Sequence, residues 1–172
     1  MRSPRPTIRA GEDEDLPALL ELIKGLATFE GAAHEVRNSL EQMRRERGSF
    51  GFFVAEEGGE VLGAAVYFFA YYTWVGKSLY LDDLYVKPEH RRRKVGSMLL
   101  AQVFDLARRE GCKRLRLQVL DWNKDAISFY EKHGGSITGE WLTCDFDAGE
   151  IARSRGAGPR PRARRSRKTR SR

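Results

Sequence analysis

Four consecutive cations, Arg91, Arg92, Arg93 and Lys94, stand between a run that reads as a strand and a run that reads as a helix. The strand run, from Leu79, is Leu-Tyr-Leu-Asp-Asp-Leu-Tyr-Val; in the helix run Met98, Leu99, Val103, Leu106 and Ala107 recur at helical spacing, with Gly96 and Ser97 at its start. The chemistry open to such a junction is anion binding. The first amides of a helix have no internal partners, the helix dipole favours negative charge there, and the Arg and Lys side chains add four positive charges. A pyrophosphate suits that arrangement. Against this stands the ordinary place of Arg and Lys in a loop, which is solvated surface.

The remaining elements follow from periodicity. Thr7 to Ala10 reads as a short strand, and Leu16, Leu19, Leu20, Ile23 and Leu26 form a helical stripe behind the acids Glu12 to Asp15, with Pro17 in the first turn and an end near Thr28. A second helix is expected from Asn38, with Glu41 three residues later closing a capping box, and Gly48 ending it. Glu57-Gly58-Gly59-Glu60 reads as a two-glycine hairpin turn between Phe52–Glu56 and Val61–Tyr72. The latter run is apolar on both faces, which suits a central strand. Beyond the basic turn and its helix, Arg114 to Leu120 alternates as a strand, Lys124 to His133 reads as a short helix with Asn123 at its N-cap, and a last β pair is expected between Ile137 and Phe146. The order predicts an α/β fold: a mixed, mostly antiparallel central sheet flanked by helices, with a parallel pair around the third helix.

Composition bounds the function. The 172 residues, 41% of them hydrophobic, suffice for one domain with a core. The net charge of +7 misleads until it is divided: residues 153 to 172 hold ten Arg or Lys and no acid, so the rest of the chain carries 21 basic against 24 acidic residues, a net of −3. We therefore expect a mildly acidic domain over residues 1–152 and a basic, disordered tail over 153–172, since like charges repel and almost nothing apolar is there to bury. The tail's charge suits weak, sequence-blind and salt-dependent contact with a polyanion such as RNA, DNA or an anionic membrane surface, or no partner at all; it lacks the interleaved aromatics that stack on bases. Cys112 and Cys144 form no close pair and His34, His90 and His133 are scattered, so neither a disulfide framework nor a metal site is expected. No apolar run approaches a membrane span and the first residues lack the apolar segment of a signal peptide, which makes the cytoplasm the expected compartment.

At the basic turn the chain resembles the GNAT acetyltransferases, whose acetyl-CoA loop reads Arg/Gln-x-x-Gly-x-Gly/Ala. Here the segment is Arg91-Arg92-Arg93-Lys94-Val95-Gly96: the first and last signature positions match, and Lys94 replaces the middle glycine. The resemblance extends from about Thr7 to Glu150. Within the family it is strongest to the diamine, polyamine (spermidine/spermine) and thialysine acetyltransferases, through Leu22-Ile23-Lys24-Gly25-Leu26-Ala27-Thr28-Phe29-Glu30, Trp74-Val75-Gly76-Lys77, Tyr80-Leu81-Asp82-Asp83-Leu84-Tyr85-Val86, Val119-Leu120-Asp121-Trp122-Asn123 and Phe129-Tyr130.

The resemblance implies an acetyl-CoA-dependent N-acetyltransferase, in which the primary amine of a small cationic acceptor such as a diamine, polyamine or lysine-like amino acid directly attacks the acetyl thioester and CoA departs, with acetyl-CoA as cosubstrate and no metal. Such an amine, with a pKa of about 10.4, is free base at pH 7 in only about one molecule in a few thousand, so a carboxylate must attract the cation and take its proton, directly or through water. An oxyanion then wants backbone N–H groups, and the departing thiolate an acid. The resemblance assigns the carboxylate to Asp82, one methylene shorter than the family's glutamate, and the acid to Tyr130. It assigns cofactor contacts to the backbone of Leu84, Tyr85 and Val86, to the loop from Arg91 through Arg92, Arg93, Lys94, Val95 and Gly96 to Ser97, and to Asn123; acceptor contacts fall to Phe29, Glu30, Asp82 and Trp74. Plain structural roles stand beside each: Asp82 as a strand-edge acid, Asn123 as a cap, Tyr130 as core, Glu30 as solvated surface, Trp74 as packing. Asp83, on the opposite face of a regular strand, reads as structural. The family habit also implies a homodimer, with apolar residues of the final strands as its interface. Two other readings are a protein or peptide amine acetyltransferase and a non-catalytic relative whose tail binds nucleic acid.

Overall fold

The computed structural model describes residues 5–153, and the expected tail lies, past Arg153, outside them. The chain divides into two compact units, the first ending at Leu120 and the second beginning at Asp121. The first contains a five-stranded sheet in the order β1-β2-β3-β4-β5, with β1 at Thr7–Ala10, β2 at Gly51–Glu57, β3 at Glu60–Tyr72, β4 at Gly76–Val86 and β5 at Leu115–Arg116. Neighbours from β1 to β4 are antiparallel and β4–β5 is parallel, so the fold is the mixed, mostly antiparallel α/β sheet flanked by helices that the element order implied. A parallel neighbour requires a crossover, and helix α3, Val95–Arg109, supplies it.

β3 occupies the middle because both of its faces are apolar. Phe52 and Val54 of β2 and Ala64 and Val66 of β3 meet Leu16, Leu19, Leu20 and Leu22 of helix α1, Leu16–Phe29, and Met43 of helix α2, Leu40–Arg45. Each of the fully buried leucines stabilises the fold by about 1.5–3 kcal/mol relative to exposure. The alternate residues Phe53, Ala55, Ala65, Leu79 and Leu81 are buried too, as are Val95, Leu99, Leu100 and Val103 of α3. The β2–β3 turn carries Gly58 and Gly59 at φ of 60° and 84°, the left-handed pair that a two-residue hairpin of this twist demands.

Arg9 fastens the entry to α1. Its guanidinium donates to both carboxylate oxygens of the buried Asp15 at 2.6 and 2.8 Å and to Glu56 at 2.7 and 2.9 Å. These bonds hold the Asp15 carboxyl below the usual aspartate range.

Three expectations need correction. Helix α2 begins at Leu40 rather than at Asn38: Ser39 is the extended N-cap and accepts from the Gln42 amide, while the Asn38 side chain accepts from the Ser39 amide. Two good capping residues stood in tandem and the one next to the first turn won. Of the strand expected over Arg114–Leu120, Leu115 and Arg116 pair with β4, opposite Leu79 and Tyr80. The ladder stops just before Asp82, where β4 bulges, and bulges raise twist and terminate pairing. No strand forms between Ile137 and Phe146, whose apolar residues Ile137, Trp141, Leu142 and Phe146 are exposed. A strand exists only through a ladder, which apolar alternation alone does not supply.

Within the second unit, helix α4 spans Lys124–Lys132 and a short helix α5, Ala148–Arg153, was not anticipated. No helix among the described residues is long and apolar enough to cross a membrane.

Candidate active site

The irregularity at Asp82 shapes the site. Across β3 and β4, Tyr67 lies opposite Leu81 and Val66 opposite Asp83, which leaves Asp82 as an extra residue on β4. In a regular strand Asp83 would share the face of Leu79 and Leu81. The bulge shifts the alternation, so Asp83 lies opposite Val66 and Tyr85 opposite Ala64, both members of the core beneath α1. The expectation of a regular strand through Asp83 therefore fails, for a backbone reason: one inserted residue moves everything after it to the other face.

Asp83 consequently lies within electrostatic reach of Glu30 at the end of α1. Burial pushes its carboxyl up to about 6, and the neighbouring charges of Asp82 and Glu30 push in the same direction. Partial loss of solvent also raises Glu30 above its ordinary value, and Asp82 in the same direction although its side chain is exposed. Glu30 caps α1, and Gly31 directly after it takes φ of 74°, ending the helix in the left-handed form that glycine adopts without strain. Three carboxylates thus share one region, although Glu30 is far in sequence from Asp82 and Asp83. Such a cluster is costly without a counter-charge and suits a cationic guest.

The four loop cations have separate fates. Arg91 donates from Nε to the Val86 carbonyl at 3.0 Å, and its guanidinium lies over the rings of Phe29 and Tyr85. Arg93 makes two bonds to the Glu57 carboxylate, at 2.6 and 2.8 Å, and a 3.2 Å contact to His90 Nδ1. Among the described residues Arg92 and Lys94 have no such partners, and both adopt the left-handed backbone, at φ of 60° and 65°. Lys94 is the residue before α3. At the position of the signature glycine it holds the backbone conformation that glycine takes most easily, so the turn into the helix survives the substitution at a cost of about 1–2 kcal/mol. The first amides of α3, at Val95, Gly96 and Ser97, precede any intrahelical acceptor. Beside them, the β4–β5 ladder has ended at Tyr80, and Leu84, Tyr85 and Val86 lie beyond it.

Trp74 is 88% exposed in the β3–β4 turn. Six or more residues of β4 separate that turn from Asp82, about 20 Å at strand rise, so the fold does not bring Trp74 to the carboxylates of its own chain. Asn123 and Tyr130 belong to the second unit. Asn123 accepts from the Ala126 amide at 3.1 Å and caps α4 as expected, and the Tyr130 ring packs edge-on against Phe129.

A basic left-handed turn into a helix, an open strand edge beside it and acids near the same end of that strand suit an acyl-CoA site, and comparison with known proteins decides the family. Residues 16–135 match the acetyltransferase (GNAT) family. The chain belongs to the GNAT acetyltransferases. Its relatives include the thialysine N-epsilon-acetyltransferases of Mus musculus, 35% identical over 161 residues covering 85% of this chain and 94% of that one, and of Bos taurus, 39% identical over 139 residues covering 74% and 82%. Among solved structures, an aminoglycoside N-acetyltransferase in complex with CoA superposes with a TM-score of 0.69 at 19% identity, over 84% of this chain and 97% of that one. This GNAT protein is thus an acetyltransferase, and its relatives support an amine as the acceptor. What sequence reasoning missed in it is the register that sets Asp83 opposite Val66, together with the packing of the Tyr85 ring against Arg91. The Asp-Asp doublet inside an apolar strand was the available signal, since one acid of such a pair falls on a buried face whichever way the strand lies.

Proposed function

We propose that the protein transfers acetyl from acetyl-CoA to a primary amine of a small cationic acceptor, a diamine, polyamine or lysine-like amino acid, by direct attack. The observation that carries this is the cluster of Glu30, Asp82 and Asp83 on the α1 side of β4, with all three carboxyls raised. The thialysine-specific relatives favour a lysine-like acceptor within that class.

Several features fit the cofactor: the amides from Val95 to Ser97, the left-handed Arg92 and Lys94 and the open edge of β4. The amides and Arg92 would hold the phosphates, and backbone groups of Leu84, Tyr85 and Val86 would face the pantetheine and acetyl portions. Acetyl-CoA supplies the activated acyl group. Glu30 and Asp83 attract the ammonium and hold it beside β4. Asp82, short for direct contact, takes the amine proton through a water. Tyr130 is the proposed donor of a proton to the departing sulfur, and Asn123 a cofactor contact, on the strength of the family motif. Residues 1–152 form the catalytic part, and the tail contributes at most weak polyanion binding.

The carboxylates also predict a pH response. Below about 6 Asp83 is protonated and the acceptor loses one counter-charge, so turnover should rise through that region and continue rising as amine becomes free base. A homodimer acting in the cytoplasm completes the proposal; with Trp74 so far from its own carboxylates, any acceptor contact by that ring comes from a second copy. The test is release of free CoA from acetyl-CoA with a panel of thialysine, lysine, spermidine, putrescine and a lysine peptide. Turnover with one of the small amines is expected. Acetyl-CoA binding without turnover on any of them would overturn the proposal, and turnover on the peptide alone would move the acceptor to protein.

A further inference from the structure

We propose that Arg91 is a positioning residue, which joins the cofactor loop to the acceptor side of the site by clamping the end of α1 and does not hold phosphate. The inference rests on the cofactor and acceptor roles proposed above. Its basis is the set of groups that one guanidinium touches. Arg91 Nε donates to the Val86 carbonyl at the last residue of β4, 3.0 Å away. The guanidinium carbon lies 5.1 Å from the ring centre of Phe29, the final residue of α1, and 5.4 Å from that of Tyr85. Tyr85 in turn lies against α1: a Cβ at Gly25 would stand 3.1 Å from its hydroxyl. Glycine at that position is what lets the helix approach.

A planar, weakly hydrated cation can lie against two rings while donating in its plane, and a lysine ammonium cannot reproduce that geometry. Arg91 thereby ties three things together: the loop in which it sits, the strand end that carries Asp82 and Asp83, and the helix end that carries Phe29 and Glu30. Arg93, by contrast, ties the loop to the β2–β3 hairpin through Glu57. With both residues engaged by the protein, Arg92 and Lys94 remain as the loop's free charges among the described residues. The mechanical consequence concerns Glu30. It follows Phe29 directly and is succeeded by Gly31, around which there is open space. Fixing the Phe29 ring against the loop sets where Glu30 stands relative to Asp83, and therefore how well the acceptor ammonium is held.

The experiment compares the full chain with Arg91→Gln, Arg91→Lys, Phe29→Leu and the double variant Arg91→Gln/Phe29→Leu. It measures acetyl-CoA affinity by calorimetry, kcat and KM for thialysine and spermidine, and melting temperature. A clamp predicts an amine KM raised about 3- to 10-fold in each single variant, the range a cation–π contact converts to. Acetyl-CoA affinity should stay within about 2-fold, Arg91→Lys should fail to rescue, and the double variant should be no worse than the worse single one. The proposal is overturned if Arg91→Gln weakens acetyl-CoA binding 10-fold or more, Arg91→Lys restores it, and amine KM stays unchanged. Should the wild type acetylate no amine at all, the functional proposal falls on its own. The melting temperatures then decide the clamp: sub-additive losses in the double variant support it, and additive losses refute it.

Discussion

Replacing Asp83 with asparagine should make the protein more stable and less active, with the gain in stability confined to neutral and alkaline pH. The Asp83 carboxyl is moved from the ordinary value of 3.8 to about 6 by burial and by the charges of Asp82 and Glu30. A raised acid binds its proton more tightly in the folded state, so below 3.8 both folded and unfolded states are protonated and nothing is lost. As pH rises through the interval the unfolded chain releases the proton first, and stability falls until the folded group has ionised as well. An interval of about 2 pH units, at 1.36 kcal/mol each, corresponds to about 3 kcal/mol of destabilisation above pH 7. Water still reaches part of the residue, which reduces this to about 1.5 kcal/mol. Asp83→Asn keeps the shape and removes the charge. Urea unfolding should show a gain of about 1.5 kcal/mol at pH 8 and almost none at pH 4; a thermal melt should show about 3–6 °C at pH 8. In the same variant amine KM should rise on the order of 10-fold, with acetyl-CoA affinity unchanged, because a counter-charge of the acceptor is gone. Equal stabilisation at both pH values, or a loss at pH 8, would show that Asp83 is not held against its charge and would remove the physical basis for the carboxylate cluster.

Asp82→Asn should lower turnover about 10²- to 10⁴-fold near neutral pH, the usual scale for a lost general base, while calorimetry finds acetyl-CoA affinity within about 3-fold. Tyr130→Phe should slow transfer by about 10²-fold or more, and activity equal to wild type would mean that another group protonates the sulfur. Lys94→Gly trades the left-handed strain of lysine against the greater chain entropy of glycine, so melting should change by less than about 1 kcal/mol and acetyl-CoA should bind as well as or better than before; restored binding from a native chain that binds none would mark a degenerate relative. Arg9→Ala strips Asp15 of its bidentate partner and should cost about 1–3 kcal/mol in urea unfolding at pH 7. Because the bonds hold Asp15 below its ordinary value, that cost should fade as pH drops below about 4, where the unfolded chain takes up the proton that the folded one resists.

Local chemistry was legible in the sequence. The apolar stripe of α1, the two-glycine hairpin, the doubly apolar β3, the cap at Asn123 and the basic turn into α3 are each specified within a few residues, through periodicity, capping and the conformational freedom of glycine, and together with the motif segments they determined the sheet class and the acetyltransferase family. What only the tertiary structure decided is which of these residues meet. Asp82 and Asp83 are equivalent in composition, and the inserted residue on β4 that sets Asp83 opposite Val66 depends on how β4 registers against β3, through the pairs Tyr67–Leu81 and Val66–Asp83. The partition of the four loop cations likewise depends on Phe29 and Glu57, which are distant in sequence. The strand expected over Arg114–Leu120 shows the same limit from the other side: its alternation is plain, yet its ladder with β4 reaches Arg116, just short of the bulge at Asp82, because a ladder needs a partner edge in register.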